Sequence, residues 1–329
     1  MLYRLSSIFV YLIMIEQKDI DEYIELCRVF GGCYDLVQTN GGNISIKSNN
    51  EIIIKRSGFK MIETEINKGY VICDTNKIDF TSENINHTII SGEGTPSIET
   101  FFHLLPKKYI VHLHPIKLLH LLSLTNWKEK ITELFGKNLC IEYKKPGLEL
   151  SNKILESYNN ESIIFLQNHG IILCSNNKDD IYNIMNDILN KYNFGRFSST
   201  NILFMKELYH KIKDKVILSS FIPFLKSERY FYKLSPDISL YLGDAPITFE
   251  SSQYNLEFDL SKKVIIYKDI VYLIESNYNK VKNLEEMVKT YYLVLDSGFS
   301  DNYQEISNDD RKSLENWDKE KLRLNLNST

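Results

Sequence analysis

The sequence predicts an α/β fold, and three observations carry that prediction. Short apolar runs of strand type recur at Ile52–Ile54, Tyr70–Asp74, Ile110–Leu113, Ile163–Leu166 and Ile171–Cys174. Stretches with helical apolar spacing lie between and around them. Glycine-bearing turns, notably Gly41-Gly42, Ser57-Gly58 and Pro146-Gly147, separate the two kinds of segment. The 329 residues allow one large domain or two ordinary ones. A chain 43% hydrophobic and 25% charged is of the soluble globular type. Its net charge of -4 and pI near 6.0 give no basic face for nucleic acid. The five cysteines (Cys27, Cys33, Cys73, Cys140 and Cys174) include no CxxC pair and are odd in number. Neither a disulfide framework nor a cysteine zinc site is expected, so a reducing, cytoplasmic location is.

The elements follow in order. Residues 1–15 include an apolar run, Ile8–Ile15, that follows Arg4, is too short to span a bilayer and is not followed by a small-x-small cleavage site. We read it as a dispensable tail, with Met14 an alternative start and a secretory signal the minor alternative. Ile20, Tyr23, Ile24, Cys27 and Phe30 define one face of a helix over Asp19–Phe30, closed by Gly31-Gly32. Thr39 to Ile46 is a glycine turn entering a strand, and Ile52–Ile54 is a second strand ending at Arg56-Ser57-Gly58. One such turn is most simply a hairpin. Two, each with a polar side chain, make a better anion cradle. Lys55, Arg56 and Lys60 lie nearby and receive no role. Residues 84–94 read as loop. Thr95 is placed to cap a helix from Pro96 to Leu105, with Glu99 in its early turns and His103 on the same face. Complementing the helix dipole is a sufficient reason for Glu99 unless a cation is near.

Ile110–Leu113 is a strand ended by Pro115. Alternation sends His112 and His114 to one face, about 6–7 Å apart along the strand. For the bare pair, two unrelated histidines are the better reading. Leu118–Leu124 reads as an apolar helix with His120 packed in its core, and Ser151–Tyr158 as another helix. The buried strands Ile163–Leu166 and Ile171–Cys174 then flank His169, where Gly170 is free to take positive φ. Two histidines on one strand and a third on a hairpin supply what a three-histidine zinc site with an open position needs. Asp179–Tyr192 is an amphipathic helix. Further on, Glu207–Leu218 reads as helix, Ile238–Gly243 and Lys263–Ile274 as strands, and Leu284–Leu295 as helix. Arg311–Leu324 reads as a charged helix with Leu314, Trp317 and Leu322 available for docking.

Gly41-Gly42-Asn43-Ile44-Ser45, Ser57-Gly58, Pro96-Ser97-Ile98-Glu99, His112-Leu113-His114-Pro115 and Asn168-His169-Gly170 occur in one order. Each motif is weak and the ordered set is specific. Over residues 16–200 the chain resembles the class II aldolase/adducin family. It is most similar to the aldolase domain of long, rhamnulose-phosphate-aldolase-like members, a similarity extended by Ser235-Pro236-Asp237 and Trp317–Lys321. No GxGxxG is present, and no appended dehydrogenase domain is expected.

The resemblance implies a three-layer α/β/α fold around a central mixed, largely antiparallel sheet, with residues 201–329 as a smaller α+β extension of unassigned role. It implies zinc on His112, His114 and His169, with Glu99 as the acid/base carboxylate. It implies substrate phosphate on Asn43, Ser57, Gly58 and Ser97, and a homotetramer with sites near subunit contacts. Ile98 departs from the pattern, standing where short members often carry a second serine. The expected activity is reversible cleavage of a ketose phosphate into dihydroxyacetone phosphate and an aldehyde. An epimerase or dehydratase would use the same zinc site. A non-catalytic, adducin-like interaction protein is a remoter alternative, in which loss of the histidines is expected. A membrane partner is not expected.

Overall fold

The computed structural model describes residues 15–192, 198–222, 232–243, 246–249, 262–295 and 304–317. In chain order these carry α1 (Gln17–Gly31), β1 (Asn43–Ser48), β2 (Glu51–Lys55), β3 (Tyr70–Asp74), β4 (Ile89–Gly92) and β5 (Tyr109–Leu113). Then come α2 (Ile116–Leu122), α3 (Trp127–Phe135), β6 (Leu139–Ile141), α4 (Leu148–Ser157), β7 (Ile163–Leu166), β8 (Gly170–Ser175) and α5 (Lys178–Lys191). The remainder is α6 (Ile202–Lys211), β9 (Val216–Ser220), α7 (Pro236–Leu242), β10 (Ile247–Phe249), β11 (Val264–Tyr267), β12 (Ile270–Glu275), α8 (Tyr278–Leu295) and α9 (Asn308–Asn316).

The first sheet has eight strands in the order β4-β3-β2-β1-β5-β8-β7-β6, and only the β6–β7 pair is parallel. Helices cover both faces, as the α/β class requires. On one face Ile44, Ile46, Val111, Leu113, Ile171 and Leu173 bury against Phe30 of α1 and Tyr182 of α5. On the other, Ile110, Ile164, Ile172 and Cys174 bury against Phe102 and against Leu150 and Ile154 of α4. A second sheet, ordered β10-β11-β12-β9, turns Tyr272 and Ile274 toward the first core and Val271 and Leu273 toward α7 and α8. It meets the first unit through a parallel bridge, Cys33 to Ser219. No helix among the described residues is long and apolar enough to cross a membrane.

Several sequence expectations are corrected. Residues 84–94 include the edge strand β4, paired to β3 through a bulge at Ile72/Cys73. Pro96–Leu105 is not an α-helix. Pro96 bridges Arg56, Ser97 N donates to Lys55 O at 2.9 Å, and only Thr100–Leu104 coil, as a 3-10 helix. His120 is exposed on α2. Ile238–Gly243 is not a strand: Ile238–Leu242 belongs to α7 and Gly243 is its C-cap, Ser235 caps the start, Pro236 takes the first turn, and the buried positions Ile238, Ser239 and Leu242 are helically spaced. Glu207–Leu218 divides between α6 and β9, because Val216-Ile217-Leu218 is a strand run. The last helix begins earlier, at Asn308; residues 318–329, with Leu322, lie outside the described residues, as do residues 1–14. Trp127–Phe135 and Leu139–Ile141 add a helix and a strand that the sequence reading leaves unassigned.

Candidate functional site

Strand register builds the site. Asn43 lies opposite His112 and Ser45 opposite Ile110 in the β1–β5 ladder. Directly opposed residues send their side chains to one face. Asn43, Ser45 and His112 therefore share the face overlain by Glu99 and the 3-10 helix.

His112 is fully buried, with its ring edge-on to Phe102. Its Nδ1 lies 2.9 Å from Ile171 O, and a carbonyl only accepts. Nδ1–H therefore donates, and Nε2 is left as a bare lone pair. His114, just past β5, brings its Nε2 to 3.0 Å from that atom. His169, on the turn between β7 and β8, completes the group, its ring centroid 4.8 Å from that of His112 and 5.1 Å from that of His114. One nitrogen from each ring lies within 4.8 Å of the others. Burial, with neighbouring imidazoles adding to it, holds His112 well below the usual histidine range and His169 at about 3. Burial also lowers His114. Neutral imidazole is the form that binds a metal.

Glycines let the backbone come this close. A Cβ at Gly170 would sit 2.2 Å from Leu113 O, and one at Gly41 2.9 Å from His114 Nδ1. Gly170 does not take the expected positive φ. Asn168 does, at 54°, and turns the chain so that His169 faces inward. Gly31 and Gly32 likewise serve close approach, to Ile62 N and Ile217 O, and have no positive φ.

Glu99 is buried against this cluster. Its Oε2 lies 3.5 Å from His112 Nε2, and its Oε1 lies 3.3 Å from His169 Nε2. Oε2 accepts from Asn43 Nδ2 at 2.8 Å. Oε1 and His169 Nδ1 are buried without a hydrogen-bond partner among the described residues. A carboxylate oxygen left unpaired beside three neutral imidazoles is what a divalent cation would satisfy. The donor set suits zinc, whose tetrahedral sites place ligand nitrogens roughly 3.3 Å apart.

Of the expected anion ligands, Ser97 is buried and its Oγ accepts from Asn43 Nδ2 at 3.2 Å. Ser57 and Gly58 are exposed on the adjoining loop, held beside Ser97 by the Arg56–Pro96 bridge and by Ser57 N donating to Thr95 O at 2.8 Å. The structure thus brings Asn43, Ser97, Glu99 and the three histidines into one cluster, with Ser57-Gly58 at its rim. Lys55, left without a role by the sequence, is buried. Its Nζ donates to Asn40 O at 2.6 Å and Phe59 O at 2.9 Å, tying both glycine loops together. A lysine on the buried side of an apolar strand was the available signal. A groove of about 710 Å³ lined by Lys18, Glu22, Arg28 and Tyr209 contains none of these residues.

Residues 21–189 match the family described as "Class II Aldolase and Adducin N-terminal domain". The chain is similar over 190 residues, at 22% identity, to a Bacillus subtilis (strain 168) protein named "Uncharacterized oxidoreductase YuxG". That segment covers 50% of this chain and 28% of the relative, so the chain spans well under half of the relative's length. Among solved structures it is similar to the N-terminal class II aldolase domain of a conserved Thermoplasma acidophilum protein, with a TM-score of 0.47 at 20% identity. That alignment covers 60% of this chain and 96% of the other. An L-fuculose 1-phosphate aldolase matches with a TM-score of 0.41 at 21% identity, covering 61% of this chain and 88% of that one.

Proposed function

This chain belongs to the class II aldolase and adducin family, and from that premise we propose that it is a zinc-dependent aldolase. It cleaves a ketose phosphate reversibly into dihydroxyacetone phosphate and an aldehyde. The observation that carries this reading is the Glu99 carboxylate, buried within 3.5 Å of two imidazole nitrogens of a three-histidine cluster. A non-catalytic role gives no reason to keep that arrangement.

Each part has a task. His112, His114 and His169 would hold the metal, which when bound supplies Lewis-acid polarisation of the substrate carbonyl and stabilises enediolate charge. Asn43, Ser57, Gly58 and Ser97 form the phosphate cradle. Its edge is open at Gly58, where an added Cβ would meet nothing within 4 Å, which leaves room for an anion. Breaking the carbon–carbon bond removes one proton from the aldehyde-side hydroxyl and leaves an electron pair on the ketone-side carbon. That carbon gains one proton. A single group that shuttles a proton closes the balance, and Glu99 is that group. Its Oε2 is fixed by Asn43, so the unpaired Oε1 is the oxygen left to exchange a proton with substrate.

We assign residues 16–200 as the catalytic unit and 201–329 as an extension, whose described residues pack on it through Tyr272 and Ile274, in a cytoplasmic homotetramer. A panel of ketose phosphates with full product identification tests the activity. Release of dihydroxyacetone phosphate and an aldehyde is expected. An epimerised or dehydrated sugar as the sole product would overturn the aldolase reading and retain the site.

A further inference from the structure

Beneath Glu99 lies a polar chain that the reaction as described does not use. His103 is fully buried, stacked on Phe102, and lies across β1. Its Nδ1 is 2.7 Å from Ser45 Oγ and its Nε2 2.5 Å from Asn43 Oδ1. Asn43 and Ser45 are two apart on one strand face, a spacing of about 6–7 Å that one imidazole spans with its two nitrogens. Asn43 Nδ2 in turn reaches Glu99 Oε2 and Ser97 Oγ.

The directions of these bonds follow from the acceptors. A carboxylate oxygen accepts, so Asn43 presents its NH2 to Glu99 and its carbonyl oxygen to His103. Oδ1 needs a donor, so His103 Nε2 carries the ring proton. Nδ1 is then the lone pair, and the Ser45 hydroxyl donates to it. The bonds along the line Ser45–His103–Asn43–Glu99 are all made in only one orientation. An unbraced carboxamide can turn over, and its oxygen would then face Glu99 and repel it.

We propose that His103 is a positioning residue for Glu99: by fixing the Asn43 carboxamide, it clamps one Glu99 oxygen and leaves the other directed at the metal centre. The kinetic arm of this inference rests on the proposed function; the structural arm stands without it. His103 makes no hydrogen bond to the three imidazole ligands, and it meets the cradle only through Asn43, whose side chain is engaged by His103, Glu99 and Ser97. Its loss should therefore affect turnover and leave metal content intact.

The test uses the full chain loaded with zinc. Glutamine places an N–H near the position of Nε2, asparagine reaches only that of Nδ1, and leucine supplies neither. His103→Leu should lower kcat about 10–100-fold, with KM within about twofold and zinc stoichiometry unchanged. His103→Gln should recover most of the loss and His103→Asn little of it. Asn43→Ala combined with His103→Leu should be no worse than Asn43→Ala alone, because both act through one contact. Additive losses, an undiminished kcat in His103→Leu, or equal rates for the glutamine and asparagine variants would overturn the assignment. Where leucine prevents folding, as judged by circular dichroism, the glutamine–asparagine comparison decides.

An absence of turnover in the wild-type protein would defeat the proposed function. The clamp is then judged by the Asn43 side-chain NH2, assigned in 15N spectra by its loss in Asn43→Asp. Slow hydrogen exchange in wild type and His103→Gln, with fast exchange in His103→Asn, supports the clamp. Equal exchange in all three rejects it.

Discussion

Asn43 Nδ2 donates to Glu99 Oε2 at 2.8 Å across 56 residues of sequence. That one bond divides the carboxylate into a held oxygen and an unpaired one, which faces His169. The division matters because a proton shuttle must be both fixed in place and free to react.

Glu99→Gln keeps the shape and an acceptor for Asn43 and removes the exchangeable proton. Zinc content should be unchanged, and kcat should fall by about 10²–10⁴-fold. Steady-state kinetics alongside metal analysis check this. Full activity would remove Glu99 from the chemistry.

His114→Ala should lower bound zinc, because the Nε2 that lies 3.0 Å from His112 Nε2 is one of three proposed ligands. Elemental analysis after dialysis reads the stoichiometry directly. A value equal to wild type would reject His114 as a ligand.

The metal-free protein should lose stability as pH falls. Burial holds the folded His169 at about 3, against roughly 6.5 for an unfolded histidine. Above pH 6.5 both states are neutral there, and the group has no effect on stability. Below it the unfolded chain takes up a proton that the folded chain refuses, so stability declines until pH reaches about 3. His112 and His114 shift in the same direction. Urea unfolding between pH 4 and 7 should show a shallower slope in His169→Gln than in wild type. Identical slopes would contradict the shift.

Gly170→Ala should disrupt the hairpin that carries His169, since its Cβ would meet Leu113 O at 2.2 Å. Strain of about 1–3 kcal/mol and weaker zinc retention are expected. Thermal melting and metal analysis measure both. An unaltered melting temperature would show that the strands separate without cost.

The sequence made some of this visible and hid the rest for physical reasons. His112, His114 and His169 stand in or beside short apolar strands; alternation puts the first two on one face, and only the third, on the hairpin, makes the set read as a metal site. Glu99 is legible through its ordered companions, but its local setting is not. Thr95-Pro96 looks like a helix start, whereas Ser97 N is spent on Lys55 O. The clamp on Glu99 depends on the register of Asn43 against His112, a long-range pairing that no local pattern encodes. Sequence spacing offers His103 only as a neighbour of Glu99 on a helix that does not form. In Ile238–Leu242, alternation of apolar residues concealed a helix that Ser235-Pro236 had already signalled. Lys55 receives no role from the sequence because a lysine is ordinarily a surface residue, whereas here two carbonyls hold it inside.

The central claim is that these imidazoles and this carboxylate form one metal-dependent lyase site. The most direct measurement is dihydroxyacetone phosphate released from ketose phosphates by zinc-loaded, chelator-stripped and zinc-restored protein. The account predicts release by the loaded protein, loss on stripping and recovery on restoration. Release that is indifferent to the metal, or none from the loaded protein on any ketose phosphate, would contradict it.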